Sequence, residues 1–192
     1  MKRGCQVLEV LVVCSLFVVA GSSWASLFEP VPDRQLVCEA TDVVEGQVVD
    51  VQSAWDTAHA AIWTTATVRI EGTIRGQTQP GTMLRVKEVG GAVDDYTIKA
   101  EGFPTFRPGE DVVLLLRPWD DEPGTYRVWG YGRGMFVVDR AEGREPSARR
   151  YDVVESGHST MFTDRIHPTV VLGSLNRTLN GLAKSCERGG NP

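Results

Sequence analysis

The sequence predicts a mainly β protein: a small antiparallel barrel with a short N-terminal helix and a C-terminal helix packed on it. Between residues 42 and 139, segments rich in β-branched residues alternate apolar and polar side chains, as half-buried strands do. Glycine and proline turn signals separate about five to seven such segments. A two-sheet sandwich is the alternative. Gly46, inside a long first strand, favours the barrel, because closing a sheet requires kinks of this kind.

The N-terminus has the pattern of an export signal. Lys2 and Arg3 precede an apolar stretch over Val10–Ala20, and small residues at the positions before residue 26 predict cleavage after Ala25. An uncleaved membrane anchor is the alternative. It is disfavoured because a helix of this length spans only about 16 Å, against a hydrocarbon core of about 30 Å.

Two segments are therefore expected, a signal peptide over 1–25 and a single domain over 26–192 with its barrel at about 34–139. Cleavage would release the domain from the membrane into the periplasm or the extracellular space. The net charge of −5 argues against a nucleic-acid-binding protein, which normally carries a basic face and a high isoelectric point.

The predicted elements follow from local patterns. Asp33 is expected to cap a brief helix over 35–39, and the Val-rich segment 42–52 is expected to form a strand that is bent or bulged at Gly46. Further strands are predicted over 62–75, 83–89, 96–100, 111–117, 126–131 and 135–139.

The C-terminal part predicts a loop and then a helix. Residues 141–150 are charged and are expected to form a loop, and Pro168 fits the first turn of a helix. The helix is indicated by one apolar stripe at spacings of three and four residues, and Gly189 and Gly190 should end it. The stripe consists of Leu172, Leu175, Leu179, Leu182 and Cys186.

A family resemblance covers about residues 34–139. The motif A-x-D-V-V-x-G-x-V begins at Ala40, and T-x-A-T-V-x-I-E-x-x-I-R-G follows over 64–76. Val89-Gly90-Gly91, the segment 106–110 and the strand 112–116 continue the order. This order resembles a group of secreted bacterial proteins of uncertain function and, more distantly, the oligonucleotide/oligosaccharide-binding (OB) barrel of netrin-like modules and tissue inhibitors of metalloproteases. The resemblance implies an OB-like barrel.

The same resemblance raises the question of whether this protein inhibits a protease. Inhibitors of that group chelate the protease zinc through the amine and carbonyl of an N-terminal cysteine. The predicted mature chain begins at Ser26 instead, and Cys38 lies well inside it. Zinc chelation is therefore not expected, whereas contact with a protease through the barrel surface remains open.

Cys38 and Cys186 are the cysteines that would remain after cleavage. In an oxidising compartment two such cysteines usually pair. A disulfide between the two helices is expected, and two separately buried thiols are the alternative.

The histidines do not predict an active site. His158, Asp164 and His167 are weak candidate metal ligands, because their spacing matches no familiar zinc pattern. No G-x-S-x-G motif is present, although Ser159 adjoins His158. A small hydrolase is a minor alternative, and neither catalysis nor a cofactor is expected.

Aromatic residues mark the candidate binding surface. They flank two predicted loops that border the usual binding face of an OB barrel; the alternative is that most of them are core residues closing the barrel ends. The set is Trp55, Trp63, Trp119, Tyr126, Trp129 and Tyr131. The sequence thus predicts an exported, non-enzymatic module that binds another exported protein, with an exported protease as one candidate. A carbohydrate- or cell-envelope-binding module is the alternative, and the oligomeric state is left open.

Overall fold

The computed structural model describes residues 31–151, 166 and 169–188. Helix α1 (Asp33–Glu39) precedes the strands, and helix α2 (Leu172–Arg188) follows them. The strands are β1 (Asp42–Trp55), β2 (Ile62–Arg75), β3 (Met83–Val89), β4 (Gly91–Val93), β5 (Tyr96–Ile98), β6 (Asp111–Pro118), β7 (Thr125–Val128), β8 (Met135–Asp139), β9 (Ser147–Arg150) and β10 (Thr169–Val171). The predicted mainly β class with one helix near each end is confirmed. The predicted signal peptide lies outside the described residues.

Five strands form a ring in the order β1-β2-β3-β7-β6, which closes because β6 also pairs with β1. The neighbours in the ring are antiparallel except β3 and β7, which run parallel over two residue pairs. Strands β8, β9 and β10 continue the sheet from β6, and β4 and β5 form a separate hairpin.

Strand β1 pairs with β2 along one edge and with β6 along the other, and it bends at Gly46. Its register with β2 shifts between Glu45 and Gly46, as the glycine predicted. A Cβ atom at Gly46 would lie 2.5 Å from the carbonyl oxygen of Arg69, so no side chain fits there without moving the backbone. Glycine therefore permits the close approach of β1 to β2 at the bend.

Two apolar clusters lie on opposite faces of the shared strands. On β6, the alternate residues Val113 and Leu115 pack with the helices, whereas Val112, Leu114 and Leu116 face the inside of the ring. The strand is a nearly continuous apolar run because both of its faces are buried.

Both helices pack on the cluster that contains Val113 and Leu115, and a covalent bond joins them. A disulfide links Cys38 on α1 to Cys186 on α2, which confirms the predicted pair. Arg75 on β2 also donates hydrogen bonds to the carbonyls of Val37, Cys38 and Ala40. The guanidinium thus satisfies the C-terminal carbonyls of α1 and places a positive charge at the negative end of the helix.

Two local predictions were wrong for a common reason. Asp33 does not cap α1, since the cap position is Pro32; its carboxylate instead binds the buried guanidinium of Arg150. Arg150 lies on β9, within the segment predicted as a loop. Both residues belong to one buried ion pair. Buried positions are normally recognised in a sequence by apolar side chains, and here the buried side chains are charged.

Helix α2 carries the predicted stripe. Leu172, Leu175, Leu179 and Leu182 are buried, and Cys186 packs against the same cluster. The helix begins at Leu172, later than Pro168, because residues 169–171 form β10. Neither α2 nor any other helix in the described part of the chain is long and apolar enough to cross a lipid bilayer.

Candidate interaction surface

The outer face of the ring is defined by strands β3 and β7. Leu84, Val86 and Glu88 are buried and alternate with Arg85 and Lys87, which point outwards. Because β3 and β7 pair in parallel register, Arg85 lies beside Thr125, and the alternation places Arg127 on the same outer face.

A row of aromatic rings and cations crosses this face. Trp63 on β2 meets Trp119 edge to face, with ring centroids 5.7 Å apart. The ammonium of Lys87 lies 5.5 Å from the ring of Trp63. Both indoles are partly exposed, so the rings are available for contact.

The row continues through arginine. The guanidinium carbon of Arg127 lies 5.0 Å from the Trp119 ring and 5.4 Å from the Trp129 ring. Arg117 approaches Trp129 at 4.3 Å. Such cation–π contacts contribute about 0.5–2 kcal/mol each, depending on desolvation. We call these six residues the Trp–Arg row: Trp63, Lys87, Trp119, Arg127, Trp129 and Arg117.

Hydrogen bonds fix the orientation of two indoles in the row. Trp119 donates its Nε1–H to the carbonyl of Lys87 at 3.1 Å, and Trp129 donates its Nε1–H to Glu39 at 3.0 Å. A buried or half-buried tryptophan normally needs such a partner. These hydrogen bonds hold the two rings in fixed orientations.

The two cations on β3 already have polar partners. Lys87 binds Glu122 at 2.6 Å, and Arg85 donates to Thr125 at 2.9 Å. The hydrogen bond from Lys87 lowers the pKa of Glu122 below its usual range. These contacts tie the β6–β7 loop to the row.

Below the row, β3 and β7 separate after two residue pairs. Glu88, only 3% exposed, accepts a hydrogen bond from the backbone N–H of Val128 at 2.5 Å. Burial raises the pKa of Glu88 to about 8, although the Val128 N–H and the charge of Arg127 act in the opposite direction. Glu88 thus satisfies the Val128 N–H, and Trp119 satisfies the Lys87 carbonyl. A longer pairing between β3 and β7 would otherwise have supplied partners for such backbone groups.

The remaining predicted aromatic residues do not join the row. Trp55 stacks on His59 with centroids 5.8 Å apart and meets Tyr96 edge to face at 5.6 Å. Tyr131 packs edge to face on Phe103 at 4.8 Å. Tyr126 packs against the cluster inside the ring.

Sequence reasoning found the tryptophans of the row but missed its cations. Lys87 lies on a strand whose alternation was recognised, so its outward direction could have been inferred. Arg117 and Arg127 were hidden because each lies next to a strand end and their pairing depends on register.

The described residues contain no group of three or more His, Cys, Asp or Glu side chains placed to hold a metal ion. The candidate ligands His158, Asp164 and His167 lie outside the described residues. A surface depression of about 360 Å³ lies at Arg34 on α1 and residues 178–185 of α2, and none of its lining residues belongs to the row.

Comparison with known proteins adds no family or relative. No protein-family model matches the chain, and no match was found among curated proteins.

Proposed function

We propose that this protein is an exported, non-enzymatic module that binds another exported protein through the Trp–Arg row. The observation that carries the proposal is the row itself: three partly exposed tryptophans interleaved with cations on one face of the ring. Tryptophan and arginine are the residues most enriched at the energetic centres of protein interfaces. A protease is one candidate partner.

We also propose that the ring is an OB-like barrel of the netrin and metalloprotease-inhibitor type. Five ring strands and a closure of only two residue pairs between β3 and β7 support this reading, because OB folds are five-stranded and partly open. The row crosses the outside of this closure.

A protein partner fits the row better than a sugar does. Sugars bind tryptophan by stacking on an open ring face, but a cation already lies over one face of each of the three rings of the row. The carbohydrate-binding alternative is supported by the exposed Tyr96 beside Trp55, where the neighbouring groups are aromatic rather than cationic.

Export is supported by the disulfide between Cys38 and Cys186. Disulfides persist in oxidising compartments and are rare in the reducing cytosol. The N-terminal pattern that predicts a signal peptide points to the same place.

The test compares two tryptophan variants of the full chain. Wild type, Trp119→Ala and the matched control Trp55→Ala are used to capture proteins from the exported fraction of the producing cells. Each captured protein is then purified, and its affinity for the three forms is measured by calorimetry. Near-ultraviolet circular dichroism verifies that both variants fold.

We expect a partner that binds wild type and Trp55→Ala alike and binds Trp119→Ala at least about tenfold more weakly, since loss of a central tryptophan costs about 2 kcal/mol or more. Equal binding to all three forms would refute the row as the interface. Binding to peptidoglycan or glycans that is lost on Trp55→Ala would instead support the carbohydrate alternative.

A further inference from the structure

Arg117 on β6 and Arg127 on β7 lie directly opposite each other in the antiparallel pair. Like charges at directly opposed positions repel each other. Among the described residues, neither guanidinium has an ion-pair partner, and Arg127 Nε is buried without a hydrogen-bond partner. The pair therefore has unused hydrogen-bond donors, and, in the described part of the chain, the one carboxyl whose pKa the charge of Arg127 is seen to affect is the buried Glu88.

Both guanidiniums are held in position by aromatic rings. Arg117 and Arg127 lie within 5.4 Å of the Trp129 ring, and Trp129 is itself anchored on Glu39. An arginine fork held in this way binds a carboxylate through two parallel N–H···O bonds at a lower entropy cost than a mobile side chain.

The surroundings reinforce the positive charge. The charged side chains that point outwards from β3, from β7 and from the end of β6 are all basic: Arg85, Lys87, Arg127 and Arg117. This local excess is set in a chain whose net charge is −5. Two acidic side chains border the row, and both already have partners: Glu122 is bound to Lys87, and Glu39 accepts a hydrogen bond from Trp129.

We propose that Arg117 and Arg127 form a carboxylate receptor that recognises an acidic segment of the partner protein. Carboxylates of the segment bind the two guanidiniums, and apolar side chains next to them pack on Trp119 and Trp129. This inference rests on the proposed function and specifies the chemistry of its partner. A nucleic acid is disfavoured because the acidic chain as a whole would repel an extended polyanion.

The test uses synthetic peptides as probes. Twelve-residue peptides that alternate Glu with Val, or Gln with Val, are titrated against the full chain, and the change in tryptophan fluorescence reports binding. Oligothymidylate of the same length and a sulfated heparin oligosaccharide are titrated in parallel.

We expect the Glu peptide to bind at least about tenfold more tightly than the Gln peptide, as two charge-assisted contacts allow. Added salt should remove most of the difference, because partly exposed charges are screened. The double variant Arg117→Gln/Arg127→Gln should lose the preference, whereas Arg149→Gln, on an exposed residue of β9, should keep it.

A second double variant, Arg117→Lys/Arg127→Lys, keeps the charge but removes the fork. It should retain part of the affinity and all of the salt dependence. Its folding is verified by the same fluorescence spectrum and by thermal melting, so that loss of binding is not confused with loss of structure.

The outcomes separate the two proposals. Equal affinity for the Glu and Gln peptides, or no binding of either, overturns the carboxylate receptor, and the proposed function is then judged by the Trp119→Ala comparison alone. Tighter binding of oligothymidylate or of the heparin oligosaccharide than of the Glu peptide also overturns it, because the row would then be a general polyanion site.

Discussion

The guanidinium of Arg150 donates hydrogen bonds to both carboxylate oxygens of Asp33, at 2.8 and 2.9 Å, across 117 residues of sequence. Arg150 is 2% exposed and Asp33 is 5% exposed, so the pair is buried. Arg133 lies 3.7 Å from the same carboxylate, and the Phe136 ring lies beneath the Arg150 guanidinium at 4.8 Å. The pair ties α1 to β9.

Asp33→Asn should destabilise the protein by about 3–5 kcal/mol, because it removes the negative charge from a buried, doubly hydrogen-bonded ion pair. Urea unfolding followed by far-ultraviolet circular dichroism measures the loss. Arg149→Gln is the control, since Arg149 is the exposed neighbour on the same strand. A change below about 1 kcal/mol in Asp33→Asn would show that the buried pair contributes little.

Removal of the disulfide should also destabilise the protein. The bond between Cys38 and Cys186 closes a loop with a sequence separation of 148, and such cross-links contribute about 2–5 kcal/mol, mainly by restricting the unfolded chain. The double variant Cys38→Ser/Cys186→Ser should therefore melt at a lower temperature than the oxidised wild type. Reductant should lower the melting temperature of wild type only; a matching decrease in the variant would point to another cause.

Glu88 should make stability depend on pH. Its pKa rises from 4.5 to about 8 on folding, mainly because burial disfavours the charged form. The folded state therefore binds the proton more tightly, so this contribution is complete below pH 4.5 and is lost as the pH rises towards 8. The loss amounts to about 1.4 kcal/mol per pH unit within that window.

Glu88→Gln isolates this effect, because glutamine keeps an oxygen to accept the Val128 N–H and cannot ionise. The free energy of unfolding of wild type relative to Glu88→Gln should fall by roughly 2–3 kcal/mol between pH 5 and pH 7. Parallel pH profiles for the two proteins would contradict the raised pKa. Urea titrations at several pH values provide the measurement.

Gly46→Ala should cost about 1–3 kcal/mol, because the new Cβ would lie 2.5 Å from the Arg69 carbonyl oxygen in a packed region. Gly181→Ala in α2 is the matched control. Apart from its chain neighbours and the backbone of α2 itself, no atom lies within 4 Å of a Cβ built at Gly181, and alanine favours a helix interior by about 1 kcal/mol over glycine. Gly46→Ala should lower the melting temperature, and Gly181→Ala should raise it. An unchanged melting temperature for Gly46→Ala would show that the backbone at the bend can move to accept a Cβ atom.

The elements that were predicted correctly are those whose burial follows a simple period. Leu175 and Leu179 repeat at helical spacing and are fully buried, and Val112 and Leu114 belong to an unbroken apolar strand. Gly46 predicted the bend in β1, because a residue with a side chain is rarely tolerated where two backbones approach closely. The cysteine pair needed only the inference of an oxidising compartment.

Two kinds of feature were not predicted. One is an element whose buried side chain is charged, and the other is a contact between residues that are far apart in the sequence. Arg150 made β9 look like a loop, although its charge is neutralised by Asp33 in the interior. The tryptophans Trp63 and Trp119 are 56 positions apart in the chain, and only the ring order brings them to 5.7 Å. A local sequence pattern does not show which strands are neighbours, so the row could be recognised only in the folded structure.

Strands β1 and β6 each contribute side chains to both apolar clusters: Val43 and Leu115 to the one beneath the helices, Val44 and Leu114 to the one inside the ring. Loss of either cluster would expose one face of the strands on which the other cluster depends. We therefore expect the two clusters to unfold together, in a single calorimetric transition. A substitution beneath the helices should then lower the melting temperature of the ring as well, because closely packed layers transmit strain.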